Sequence, residues 1–193
     1  MKTPHKNKNV VRCRWAGDDP LMVRYHDHEW GVPQHNDRVL FEFLILEGAQ
    51  AGLSWDTILQ KRKNYRAAFD KFAPNKVARY DQKKAKQLMN NEGIVRNRLK
   101  IASATRNAKA FLAVQKEFGS FDKFIWGFTG GKTLVSRPKG PGDFQARTAE
   151  SDAMSKELKK RGFRFVGSTI CQAFMQAVGM RDDHMAGCFR AKK

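Results

Sequence analysis

The stretch Asp81-Gln82-Lys83-Lys84-Ala85-Lys86-Gln87-Leu88-Met89-Asn90, followed by Asn91-Glu92-Gly93-Ile94-Val95 and then Arg96-Asn97-Arg98-Leu99-Lys100-Ile101, decides how this chain is read. Asp81 can cap a helix over residues 82–90, because a carboxylate there accepts from the free N–H groups of the first turn. A second helix runs from about Arg96 to Phe118, with Ile101, Ala104, Ala108, Phe111 and Val114 recurring at helical spacing. The connection Asn91–Val95 is short and contains one glycine. Two helices joined this tightly form a helical hairpin, placed at about residues 81–118.

Working outward, the pattern stays helical. Asn36 can cap a helix from about Asp37 to Gly48, in which Leu40, Phe43, Leu44 and Glu47 share one stripe. Ser54 starts another, with Ile58, Leu59, Tyr65, Ala68 and Phe69 as its apolar positions. Phe121 to Phe128 reads as a short aromatic helix, and residues 129–147, with Gly130-Gly131 and Pro138-Lys139-Gly140-Pro141-Gly142, as a loop. Ser151 caps a helix closed by Gly162, and Gly179 closes one from about Ser168 to Val178. No segment alternates as a strand does. The expected fold class is all-α, with the basic hairpin near the middle.

Charge separates the chain into parts with different work. The 193 residues carry a formal charge of +18, which points to a polyanionic partner, nucleic acid first. Residues 61–109 hold fifteen basic and three acidic side chains, whereas residues 15–60 hold two basic and eight acidic. That acidic segment also contains three of the four tryptophans, Trp15, Trp30 and Trp55. Carboxylates among aromatic rings beside a basic surface read as a pocket rather than as a phosphate track. Apolar runs such as Val39–Phe41 and Phe43–Leu46 fall far short of the roughly 20 residues a membrane span requires. The polar start shows no signal stretch, and three cysteines do not make a disulfide framework, so a reduced intracellular protein is expected.

Two constellations carry chemistry. His184 and Cys188 are four apart and would face the same way on one helical turn, while Cys13 and His26 need a loop or short turn between them. Each pair alone is weak evidence for a metal. Cys171, inside an apolar helix, reads as a small core residue. The second constellation comprises Trp15, the run Tyr25-His26-Asp27-His28-Glu29-Trp30-Gly31-Val32-Pro33, Glu47, and Gln50-Ala51-Gly52-Leu53-Ser54-Trp55. Glu47 lies on the apolar stripe of its helix, and a buried carboxylate needs a partner or a task.

Arg12-Cys13-Arg14-Trp15, Asp19-Pro20-Leu21, the run Tyr25 to Pro33, Leu46 to Trp55, Lys160-Arg161-Gly162-Phe163-Arg164-Phe165-Val166-Gly167, Asp183-His184 and Gly187-Cys188 together resemble the bacterial 3-methyladenine DNA glycosylase I family. The resemblance covers roughly residues 12–190, read as a single domain between a basic N-terminal arm, residues 1–11, and a short basic tail, residues 191–193. It implies a helix-hairpin-helix glycosylase fold and one structural zinc on Cys13, His26, His184 and Cys188, joining the two chain ends. It further implies hydrolysis of N3-methyladenine from double-stranded DNA, leaving an abasic site, with no lyase step. By the same resemblance Trp15 and Trp55 stack on the base, and Tyr25 and Glu47 bond its edge and carry the catalysis, while Trp30 shapes the wall. The protein is expected to act as a cytoplasmic, nucleoid-associated monomer. Backbone N–H groups of Gly93, Ile94 and Val95 are expected to hold a phosphate with Arg96, Arg98 and Lys100 nearby, and Leu53, beside Gly52, to fill the gap left in the stack. Two departures stand out: Met22 occupies a position where some relatives carry an aromatic residue, and the hairpin has a single glycine where many helix-hairpin-helix glycosylases have Gly-x-Gly followed by a catalytic aspartate. Asp143, in Gly140-Pro141-Gly142-Asp143, lies in a remote loop and is discounted as catalytic.

Overall fold

Asn36 accepts from the N–H groups of Arg38 and Val39, and the helix it opens, α2 (Asp37–Gln50), becomes the centre of the molecule. Every residue from Leu40 to Ala49 is buried. A helix apolar on most of its circumference has to be enclosed by others, and α3 (Trp55–Ala68), α6 (Arg98–Phe118), α7 (Phe121–Trp126) and α9 (Ser168–Ala177) enclose it. The single stripe expected from the sequence is therefore too narrow, since Phe41, Ile45 and Glu42 are buried as well.

The computed structural model describes residues 10–192, among which nine α-helices account for most of the chain. Residues 1–9 of the basic arm and Lys193 of the tail lie outside the described residues. The arm does not extend to residue 11, because the carbonyl of Val11 accepts from the N–H of Phe189 at 2.9 Å. The 191–193 tail begins inside a 3-10 turn, Phe189–Lys192.

Local capping accounts for most boundaries. Ser54 caps α3 through Thr57 N–H, Asp81 caps α5 (Gln82–Met89) through Lys84 N–H, and Asn97 caps α6 through the N–H groups of Leu99 and Lys100. Helix α6 thus begins two residues later than expected. Helix α1 (Pro20–His28) was not anticipated, although Asp19 as cap with Pro20 at the first position is a strong start signal. A further short helix, α4 (Pro74–Val77), packs on α6. Helix α8 (Ala149–Lys160) is capped by Thr148 and not by Ser151, which sits buried in the first turn, its Oγ accepting from Thr148 N–H at 2.8 Å. The loop at 129–147 contains a two-residue strand, β1 (Leu134–Val135), paired in parallel with β2 (Arg181–Asp182). This pairing was invisible in the sequence because two residues are too few to alternate. It carries the C-terminal segment back toward α1.

A candidate metal centre and a candidate base pocket

The two chain ends meet at a buried cluster. Cys13 precedes a 3-10 turn (Arg14–Ala16) and His26 lies on α1, so a turn plus a helix spans the gap between them. Ligand atoms of Cys13, His26 and Cys188 lie within 4.8 Å of one another, and Cys188 Sγ stands 3.4 Å from His26 Nε2. His184 is placed differently from expectation. Residues 183–188 form an irregular turn rather than a helix, and His184 falls outside that three-residue group. Its ring nonetheless lies 5.1 Å from that of His26, and its Nε2 is buried with no hydrogen-bond partner.

Both histidines are held by carboxylates. Asp27 Oδ1 meets His26 Nδ1 at 2.8 Å, and Asp182 Oδ1 meets His184 Nδ1 at 2.6 Å. Arg12 backs the first aspartate and Arg137 the second. Acceptors on both Nδ1 atoms place the protons there and make each Nε2 an acceptor, the tautomer a metal ligand needs; that of His26 accepts from Cys13 N–H at 3.3 Å. Burial also lowers the pKa of His26, which favours neutral imidazole. Gly31 is required here, since a Cβ at its φ of +73° would come within 2.9 Å of His184 Cε1. The donor set and an orphaned, pre-oriented Nε2 fit a tetrahedral ion of zinc type.

Trp30 links this cluster to the second. Its ring meets His184 at 4.6 Å and Trp15 at 4.8 Å, both edge-on. Tyr25 lies between the other two rings, 6.3 Å from Trp15 and 5.2 Å from Trp55, and Phe43 stacks behind Trp55. Thus Trp15, Tyr25, Trp30 and Trp55 are brought together, Trp30 as a buttress to Trp15. Met22 is half-buried against the same core.

Two acids on α2 separate structure from function. Glu42 is buried but accepts from Arg62 Nε at 2.6 Å and from Arg66 Nε at 2.9 Å. Glu47 is 2% exposed and its Oε2 has no partner. Burial pushes the Glu47 carboxyl up to about 8. Burial, with Glu47 adding to it, likewise raises the pKa of Tyr25, which keeps its hydroxyl protonated. Trp55 Nε1 is a second buried orphan. Glu47 Oε2 and Trp55 Nε1 are thus a buried acceptor and a buried donor that can bond a polar ligand.

The hairpin departs from expectation. Gly93 N–H donates to Asn91 Oδ1 at 2.8 Å, Ile94 N–H to the Asn91 carbonyl at 3.3 Å, and Val95 N–H to Tyr65 Oη at 3.1 Å. These three groups are spent internally, so the phosphate contact expected of them is not offered, and the Ile94 side chain is core. Gly93 is there for packing: a Cβ would lie 2.9 Å from the Asn64 side chain. Arg96 and Arg98 are exposed as a phosphate contact requires. Lys100 is not, because its Nζ donates to the carbonyls of Ala49 and Ala51. In the turn that follows, Leu53 N–H donates to Gln50 O and the Leu53 side chain is 41% exposed beside Gly52. Asp143 bonds the N–H groups of Lys139 and Gly140 in its own loop, and Cys171 is core.

Asp27 and Asp182 escaped the sequence reading as supports of the histidines. The signal was present, because each adjoins or nearly adjoins the histidine it holds. Arg62 had none, since its partners Glu42 and Glu29 lie on other elements.

The family model for methyladenine glycosylase matches residues 15–191. DNA-3-methyladenine glycosylase 1 of Escherichia coli is 47% identical over 179 residues, 93% of this chain and 96% of that protein. A crystal structure of 3-methyladenine DNA glycosylase I superposes with a TM-score of 0.91 at 47% identity, covering 93% of this chain and 98% of the other. A Staphylococcus aureus structure, described as the structural basis of 3-methyladenine recognition, gives 0.91 at 35% identity, covering 94% and 97%. With almost its whole length matched at such identity, the chain belongs to the methyladenine glycosylase family and is a DNA glycosylase.

Proposed function

We propose that this protein excises N3-methyladenine from double-stranded DNA by hydrolysis, without a lyase step, and that Glu47 is the residue on which recognition turns. The observation that carries the proposal is the contrast on α2, where Glu42 has two arginine partners and Glu47 has none among the described residues. Methylation at N3 makes the purine cationic and a good leaving group. Such a substrate needs little acid catalysis and much recognition of charge. A cation beside Glu47 compensates the buried carboxylate, whereas neutral adenine leaves it either protonated or unpaired. Aromatic faces at Trp15 and Trp55 add cation–π attraction of about 0.5–2 kcal/mol. Tyr25 offers its hydroxyl to the base edge.

Glu47 and Tyr25 are buried behind the half-exposed Trp15 and Trp55. A stacked base cannot reach them, so the nucleotide turns out of the duplex, and the exposed Leu53 is placed to fill the gap. The α5–turn–α6 unit serves as the helix-hairpin-helix element, contacting phosphates through Arg96 and Arg98. A lyase needs a free amine, and Lys100 commits its own to two backbone carbonyls. Cys13, His26, His184 and Cys188 would hold one zinc ion, which would supply structural closure of the chain ends and not chemistry.

Release of free 3-methyladenine from methylated duplex DNA tests the reading directly, and a metal-replete preparation that releases none removes it. Salt separates the two surfaces. Raising it weakens duplex binding steeply but leaves binding of free 3-methyladenine nearly unchanged, because only the duplex releases counterions. Equal salt dependence in the two titrations counts against separate surfaces.

A further inference from the structure

Lys100 stands in the first turn of α6, where a cation opposes the helix dipole. Instead of reaching for solvent or phosphate, its ammonium turns inward to the end of α2. It donates to Ala49 O at 2.8 Å and to Ala51 O at 2.6 Å. Carbonyls at the end of a helix lack intrahelical donors and carry its negative pole. Ala51 is also where the chain leaves α2 for Gly52, Leu53 and Ser54. Burial alone perturbs this ammonium, depressing its pKa below the ordinary lysine value, and no carboxylate offsets it. A partly desolvated cation held only by backbone carbonyls is a costly way to fill space.

The connection this makes is specific. Glu47 precedes Ala49, the first clamped residue, by two positions, and Leu53 and Trp55 follow Ala51, the second, by two and four. On the other side, Lys100 is three residues beyond Asn97, the cap at the hairpin end of α6, with the exposed Arg96 and Arg98 adjacent. One side chain therefore spans the two surfaces that the charge distribution separates. We propose that Lys100 is a positioning residue that sets the Glu47-to-Trp55 segment in register with the hairpin, so that a DNA backbone held by the hairpin presents its extruded base to Glu47. This rests on the reading of the site as a base-excision pocket.

Lys100→Met keeps the aliphatic stem and removes the clamp. Single-turnover excision from duplex DNA should fall by about 10- to 100-fold, the effect of a misplacement near 1 Å. Binding of free 3-methyladenine should stay near wild type, since the pocket walls remain. The slope of log affinity against log salt on undamaged duplex should also be unchanged. A slope shallower by about 1 would make Lys100 a phosphate ligand and overturn the proposal. Unchanged excision, or free-base binding lost in step with excision, overturns it too. Lys100→Arg restores charge and donors: excision near wild type supports the clamp, and excision as low as that of the Met variant sinks it, whatever the Met substitution does to stability. Wild-type protein that releases no base defeats the pocket reading itself, which separates the two failures.

Discussion

Glu47→Gln lowers single-turnover excision of 3-methyladenine by about 30- to 1000-fold, the rate equivalent of losing roughly 2–4 kcal/mol in a charge-assisted bond to a cation. The same substitution makes the empty protein more stable at neutral pH. The folded-state pKa of Glu47 is raised from 4.5 to about 8 by burial, so the fold favours the protonated acid. Its penalty is absent below pH 4.5, grows as pH rises, and levels off above about 8. At pH 7 the penalty is on the order of 3 kcal/mol, an upper bound. Glutamine has no such penalty, though it still buries an amide. Melting curves of the two proteins should thus converge near pH 4.5 and diverge by several degrees at pH 8. Parallel curves would refute the buried, unpaired state of Glu47, and normal excision by the variant would refute its role. Activity at this position is obtained against stability, as expected where a site holds a group for its substrate.

Cys188→Ser removes bound zinc and lowers the melting temperature together. Cys13 and His26 come from one end of the chain, His184 and Cys188 from the other, so an ion held by all four, as proposed, would close a very long loop. Loss of about 3–5 kcal/mol, typical for a closure of this kind, corresponds to a fall of roughly 6–20 °C in a domain of this size. The loss should also reach the pocket, because Trp30 rests on His184 and Trp15 on Trp30. Zinc stoichiometry by elemental analysis and calorimetric melting decide the matter. A variant that retains one ion per chain shows that Cys188 is not a ligand. Prolonged chelation of the wild-type protein should reproduce the same fall, and a melting temperature indifferent to chelation would leave the carboxylate-held histidines without their purpose.

Helix boundaries were legible in the sequence at the caps Asn36, Ser54 and Asp81, because capping satisfies N–H groups within three residues of the cap. Helix α1 was equally legible through Asp19-Pro20 and was overlooked. The β1–β2 pairing was not, since it joins residues 47 apart over only two positions. The pocket residues were named from their clustering in an acidic, aromatic segment, and the aromatic set does assemble. Sequence singled out Glu47 by its stripe but could not show that Glu42 is buried too and paired with Arg62 and Arg66, nor distinguish Lys100 from Arg96 and Arg98, because in each case the difference lies in what another element brings opposite the side chain.

By itself, then, the sequence determined the helical class and the division of charge between a basic hairpin and an acidic aromatic segment. These follow from periodicity, capping and composition, which act over one or two turns of chain. The tertiary structure alone decided that Glu42 is neutralised and Glu47 is left open, that the N–H groups of Gly93, Ile94 and Val95 are already spent, and that Lys100 clamps α2. Burial and partnership belong to surfaces that meet only when distant segments pack, and at this site they set the charge that a cationic base encounters.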